Sequence, residues 1–217
     1  MTFTDFNGDG RDDLAVGAPG YGSFGSGGVN VLYGATGGLT VTGNQLWTQN
    51  SPGIADQEDG QDRFGLALVA ADFNGDGRDD LAVGAPWETL GPGGTQALTY
   101  SNAGAVHVLL GSINRLTATG SRFWNQDIAG IPDNAEDGDQ FGTSLGAGDF
   151  NNDGRADLVI GVPLENLGTI PDAGVMHVLY GSANGPTATG NQLWSQNSAG
   201  ILGTSQPGDR FGTSLSK

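Results

Sequence analysis

The chain contains no cysteine, which excludes disulfides, thiolate metal sites and cysteine nucleophiles. Basic residues are scarce: 8 Lys plus Arg stand against 24 Asp plus Glu, for a formal net charge of −16. A field of that sign repels nucleic acid and anionic membrane, and it attracts cations. No apolar run approaches the ~20 residues of a membrane span, so membrane insertion is not expected. The opening residues, MTFTDFNGDG, offer neither a basic region nor an apolar stretch, so no signal peptide is expected within this chain. Sustained helical periodicity is missing too. What is abundant is glycine, 40 of 217 residues. Glycine at that density means many tight turns between short strands, or else disorder. With 36% hydrophobics and β-branched apolar runs, the first reading holds.

Three copies of one pattern fill the chain. Asp5–Pro19 reads DFNGDGRDDLAVGAP, Asp72–Pro86 repeats it letter for letter, and Asp149–Pro163 reads DFNNDGRADLVIGVP. Trp47, Trp124 and Trp194 each precede a Phe-Gly pair (Phe64, Phe141, Phe211) by the same 17 residues. Phe64 and Phe141 each lie 8 residues before the next Asp, and Tyr33, Leu110 and Tyr180 each lie 14 before the Trp. Only the stretch from Pro to that last position varies, at 14, 24 and 17 residues. All the length variation therefore sits in one loop on a fixed frame.

Each unit reads as four short strands. The segment Phe141–Leu145 exemplifies the first, the buried run Leu81–Pro86 the second, and Ala105–Gly111 the third, whose alternation suits a half-buried strand. The segment around Asn-Gln-Leu-Trp supplies the fourth. A repeated four-stranded antiparallel unit of about 70 residues is the pattern of a propeller blade. The joint occurrence of Phe-Gly, a D-x-N-x-D-G-x-x-D loop and Gly-Ala-Pro after an apolar strand resembles the FG-GAP repeat, as in the integrin α-chain propeller and bacterial and cyanobacterial surface proteins. The resemblance covers essentially the whole chain. It implies an all-β protein of four-stranded antiparallel β-propeller blades, three FG-GAP blades per chain, and a parent protein that is extracellular or at the cell surface. The expected layout is a single unit over 1–217. Blade 1 covers about 1–62 and lacks its first strand, blade 2 about 63–139 and blade 3 about 140–209. Residues 210–217 form the first strand of a shared blade.

Side-chain oxygens recur at positions 1, 3, 5 and 9 of each loop: Asp5, Asn7, Asp9 and Asp13; Asp72, Asn74, Asp76 and Asp80; Asp149, Asn151, Asp153 and Asp157. Alternate positions of a tight loop can converge on one Ca²⁺, a hard cation that takes six to eight oxygens. The backbone carbonyls of Arg11, Arg78 and Arg155 would add a further ligand each. Position 12 holds Val16, Val83 or Ile160 where an EF-hand carries a bidentate Glu, so the resemblance implies β-hairpin calcium sites instead. About three Ca²⁺ per chain are expected, with affinity on the order of 10⁻⁴–10⁻³ M as for extracellular modules. The plainer reading is that Asp, Asn and Gly form turns.

Three blades are too few to close a ring. The expectation is a homodimer, Phe211–Leu215 of one chain completing the first blade of another to give six blades; the alternative is a fragment of a longer propeller. At that junction residues 215–217 and 1–3 would compete for the same positions. Gly142–Gly146 matches G-x-S-x-G but lies in a strand, without the strand-turn-helix setting of a nucleophile elbow. His107 and His177 read as partly exposed strand residues, and the three tryptophans as packing between blades. The variable loop opens on the face opposite the metal loops, which makes Trp87, Glu88, Tyr100, Glu165 and Asn166 candidate ligand contacts. The function expected is non-catalytic protein binding, adhesion or scaffolding. A carbohydrate-binding propeller, or a piece attached to a hydrolase, stands as the alternative.

Overall fold

Three consecutive antiparallel sheets make up the computed structural model, which describes residues 4–91 and 100–216. The first sheet holds β1 (Leu14–Ala18), β2 (Gly28–Ala35) and β3 (Gly38–Trp47). The second holds β4 (Ala67–Ala71), β5 (Asp80–Ala85), β6 (Ala105–Leu110) and β7 (Thr117–Trp124). The third holds β8 (Ser144–Gly148), β9 (Asp157–Val162), β10 (Val175–Tyr180) and β11 (Thr187–Trp194). Each four-stranded sheet runs in chain order, as a propeller blade does. The register repeats as well: β2–β3, β6–β7 and β10–β11 each carry a shift at the same place, between Val31 and Tyr33, Val108 and Leu110, and Val178 and Tyr180.

The core is two slabs between sheets. Phe6, Val29, Val31, Phe64, Leu81 and Val83 fill one, between the first and second sheets. Phe73, Val106, Val108, Phe141, Leu158 and Ile160 fill the other. The middle sheet is therefore covered on both faces. This corrects the half-buried reading of the third strand, because β6 is buried from Ala105 to Leu109. It also corrects the histidines. His107 is buried between Phe64 and Phe123, with ring centroids 5.3 and 4.9 Å away, and His177 is buried 5.5 Å from Phe141. Burial without a charged partner lowers His107 to about 3 and His177 to about 4.

The first strand of each complete sheet starts three residues later than expected, at Ala67 and Ser144. Gly65 and Gly142 adopt φ of +89°, so the Phe-Gly pair turns before the strand begins. The turn carries the glycine carbonyl onto the preceding sheet. A Cβ on Gly84 would lie 2.2 Å from the Gly142 carbonyl oxygen; on Gly17 it would lie 2.0 Å from that of Gly65, and on Gly161 2.1 Å from that of Gly212. Every sheet thus seats the next Phe-Gly pair backbone against backbone. The Phe64, Phe141 and Phe211 N–H groups donate to the Ser26, Ala103 and Ala173 carbonyls at 2.8–2.9 Å. Ser144 of the G-x-S-x-G string opens β8 and donates its Oγ to the Gly212 carbonyl at 2.5 Å. Residues 1–3 and 217, to which the expected overlap at the shared blade in part belongs, lie outside the described residues.

Two outcomes follow from this packing. Gly84→Ala should cost about 1–3 kcal/mol in urea unfolding, the usual range for overpacking, whereas Gly20→Ala, with open space around it, should stay within about 0.5 kcal/mol. Acid should act through His107: its folded value is depressed, so the unfolded chain takes up the proton first and stability falls as pH drops below about 6.5. Relative to the native chain, His107→Leu should gain about 2 kcal/mol between pH 7 and pH 5. Unfolding both proteins at each pH checks this, because the carboxylates common to both cancel.

Candidate metal centre

Each acidic loop joins the sheet frame through the aspartate at its ninth position. Asp80 Oδ1 accepts from the Gly111 N–H at 2.9 Å and Oδ2 from the Phe73 N–H at 3.2 Å. Asp13 does the same for Gly34 and Phe6, and Asp157 for Gly181 and Phe150. The loop is thereby tied to the end of the third strand of its own unit. All three aspartates are buried. Burial pushes Asp80 up to about 7, with the charges of Asp72 and Asp76 adding to the rise. Asp13 is raised from the same cause, helped by Asp5 and Asp9.

The first position organises the turn. Asp5 Oδ1 accepts from Gly8 and Asp9 N–H, and its Oδ2 from Gly10 N–H at 2.7 Å. Asp72 repeats this with Gly75, Asp76 and Gly77, and Asp149 with Asp153 and Gly154. Asn7, Asn74 and Asn151 accept from the N–H two residues on, and Asp9, Asp76 and Asp153 from that of Arg11, Arg78 and Arg155. The turn-forming reading is thus realised in full, yet it does not exhaust these oxygens. An ionised carboxylate has about four lone-pair sites, and each loop presents at least three carboxylates and an amide oxygen within nine residues. That donor set suits a hard divalent cation. Arg11 and Arg78 supply partial counter-charge, at 3.3 Å from Asp9 and 3.7 Å from Asp76.

Successive loops also touch. Asp5 N–H donates to the Asp79 carboxylate at 2.9 Å while Asp79 N–H donates to the Asp5 carbonyl at 3.0 Å. Ala156 N–H repeats the second contact on the Asp72 carbonyl, without a carboxylate to make the first. The side chain of Arg78 lies over Gly8, and that of Arg155 over Gly75.

The residues named for the variable loops divide. Trp87 and Tyr100 are half-buried; the Arg63 guanidinium lies 4.5 Å over the Trp87 ring, and Tyr100 exchanges backbone bonds with Leu90 at 3.0 Å. Asn166 is half-buried as well, and bonds Glu136 Oε2 at 3.2 Å and Asp172 N–H at 3.0 Å. Glu88 and Glu165 are not on the surface at all. Both are buried: Gln49 Nε2 donates to Glu88, and Gln126 Nε2 donates to Glu165 at 2.6 Å. Sequence reasoning missed the glutamines and Asp62 and Asp139 beside them. The signal was present, since Gln, Asp and Glu recur with the same separations in 49, 62, 88 and 126, 139, 165.

The FG-GAP repeat family model matches residues 1–38, 64–109 and 141–179, more than half of the chain. Phosphatidylinositol-glycan-specific phospholipase D of Mus musculus is 41% identical over 167 residues, 75% of this chain and 18% of that protein. The Homo sapiens protein of the same name is 39% identical over 75% of this chain and 18% of its own length. Integrin alpha-PS2 of Drosophila melanogaster is 29% identical over 89% of this chain and 12% of its own. The chain thus spans less than a fifth of the length of these relatives.

Proposed function

Because the chain belongs to the FG-GAP repeat family, we propose that it is a non-catalytic, calcium-binding β-propeller module for protein binding, adhesion or scaffolding. It would act outside the cell or at its surface. The observation that carries this reading is the threefold recurrence of one donor set in one seat. Asp5, Asn7, Asp9, Asp13 and the Arg11 carbonyl would hold the first ion. The equivalent residues 72–80 and 149–157 would hold two more. Bound calcium would complete the counter-charge that Arg11 and Arg78 give only in part, and would stiffen the turn between the first two strands of each blade. Trp87, Tyr100 and Asn166, on the opposite face, would contact the ligand. Among the described residues no helix is long and apolar enough to cross a membrane.

Assembly would follow from the outer faces. Leu14 and Val16 on the first sheet are 43% and 44% exposed, whereas their counterparts Leu81, Val83, Leu158 and Ile160 are buried between sheets. At the other end Val159, Met176, Val178 and Trp194 line an apolar cleft with Leu215. Joining the third sheet of one copy to the first sheet of another would build a further slab. Two copies would then close a six-bladed ring with two-fold symmetry. The likeness to phosphatidylinositol-glycan-specific phospholipase D favours a second reading, in which these sheets are part of a larger propeller carried by a hydrolase.

Light scattering on a sizing column, in millimolar Ca²⁺ and again in EDTA, separates these cases. Twice the mass of the single chain in calcium, with a shift in mass or melting temperature in EDTA, is the expected result. A monomer in calcium would sink the closed dimer and leave the larger propeller. Melting curves that superimpose with and without chelator would sink the calcium assignment.

A further inference from the structure

Among the described residues, the three acidic side chains whose ligand oxygens all lie within 4.8 Å of one another are not in the turn loops. They are Glu136, Asp139 and Glu165, on the seam between the second and third sheets. Asp139 comes from the connection leading into β8, and Glu165 from the loop after β9. Glu136 N–H donates to Asp139 Oδ2 at 2.5 Å, which leaves Asp139 Oδ1 buried and without a hydrogen-bond partner. Gln126, from the end of β7, bonds Glu165 through Nε2 at 2.6 Å, and its Oε1 is buried and unpartnered too. Asp139 is 1% exposed and Gln126 is 2% exposed, while Glu136 opens the group to solvent.

Among the described residues no ion pair neutralises this group. The ion pairs among the described residues are Arg11–Asp9 and Arg78–Asp76, both in the turn loops. Three carboxylates, one of them with an orphaned buried oxygen, beside a glutamine whose buried oxygen is orphaned too, carry a large desolvation cost that a bound cation would offset. Burial, reinforced by the neighbouring acids, pushes Glu165 up to about 8 and Asp139 to about 7. The arrangement recurs one sheet earlier: Gln49 donates to Glu88, Asp59 N–H donates to Asp62 Oδ2, and Gln49 Oε1 and Asp62 Oδ1 are again buried and unpartnered.

We infer that Glu136, Asp139 and Glu165, together with the Gln126 side-chain oxygen, form a second kind of divalent-cation site, placed between blades and separate from the turn loops. Oxygens on opposite sides of a Ca²⁺ ion stand about 4.6–5.2 Å apart, given its 2.3–2.6 Å bonds. A spread within 4.8 Å is therefore one that a single calcium ion spans. Four protein oxygens leave room for water to complete the shell on the open side of Glu136. Such an ion would join Gln126 at the end of one blade to Glu165 in the next, so the site would clamp blades together rather than shape a turn.

Calcium-45 equilibrium dialysis of the full chain, carried to saturation, tests this against Glu165→Gln. The variant is expected to bind one ion fewer than the native chain, while its melting temperature in EDTA is not lowered, since a neutral amide replaces a buried carboxyl group. Asp139→Asn should give the same loss and serves as the second variant if Glu165→Gln does not fold. Equal counts in the native chain and the folded variant would overturn the site. The difference is independent of the turn loops: if they bind nothing, the native total falls but the loss of one ion in the variant remains.

Discussion

The sheets meet where two glycines face each other, main chain on main chain. The carbonyl of each Phe-Gly glycine rests on the glycine that precedes Ala-Pro or Val-Pro in the sheet before it, with no room for a single methyl group between them. Main chain on main chain sets the separation of the sheets at its lower limit. Everything else is arranged around that distance. At the Gly65 and Gly142 contacts the neighbouring Phe64 and Phe141 are buried in the slabs between sheets, and Asp62 and Asp139, two residues earlier, lie near the buried Glu88 and Glu165. The motif that identifies the repeat is thus the motif that joins one blade to the next.

Carboxylates do two kinds of work on this frame. Asp13, Asp80 and Asp157 gather backbone N–H groups from the acidic turn and from the end of the third strand, so each fastens a loop to its sheet. Glu88 and Glu165 gather a glutamine from the preceding blade, so each bridges a seam. Both sets are buried, and both lie in a chain with little basic charge to offset them. The 24 acidic residues are therefore not confined to the surface, since some of them are built into the joints.

The strands and their order were legible from the repeat alone, because residues at fixed spacing must occupy equivalent places. The turn loops were legible from their oxygens for the same reason. What eluded sequence reasoning depended on stacking. Strand alternation in Ala105–Gly111 suggested one wet face, but a blade between two others has none, so His107 was misplaced. A Phe-Gly pair beside an apolar run read as strand, although the left-handed glycine makes it a turn. Glu88 and Glu165 read as surface because the variable loop opens on an outer face; their buried partners, Gln49 and Gln126, belong to the preceding blade and lie 39 residues away.

The long connection of the second blade is pinned at its base, where Leu90 and Tyr100 exchange both backbone bonds and Gly104 N–H returns to the Glu88 carbonyl. A pinned base separates what happens beyond it from the frame below. Lengthening a closed loop raises its closure entropy only logarithmically, and here the ends are held by bonds that belong to the frame. Foreign peptides spliced between these two residues would therefore be displayed from a fixed base, as a graft on a rootstock. The propeller could change what it presents without any adjustment of the glycine seats that hold it together.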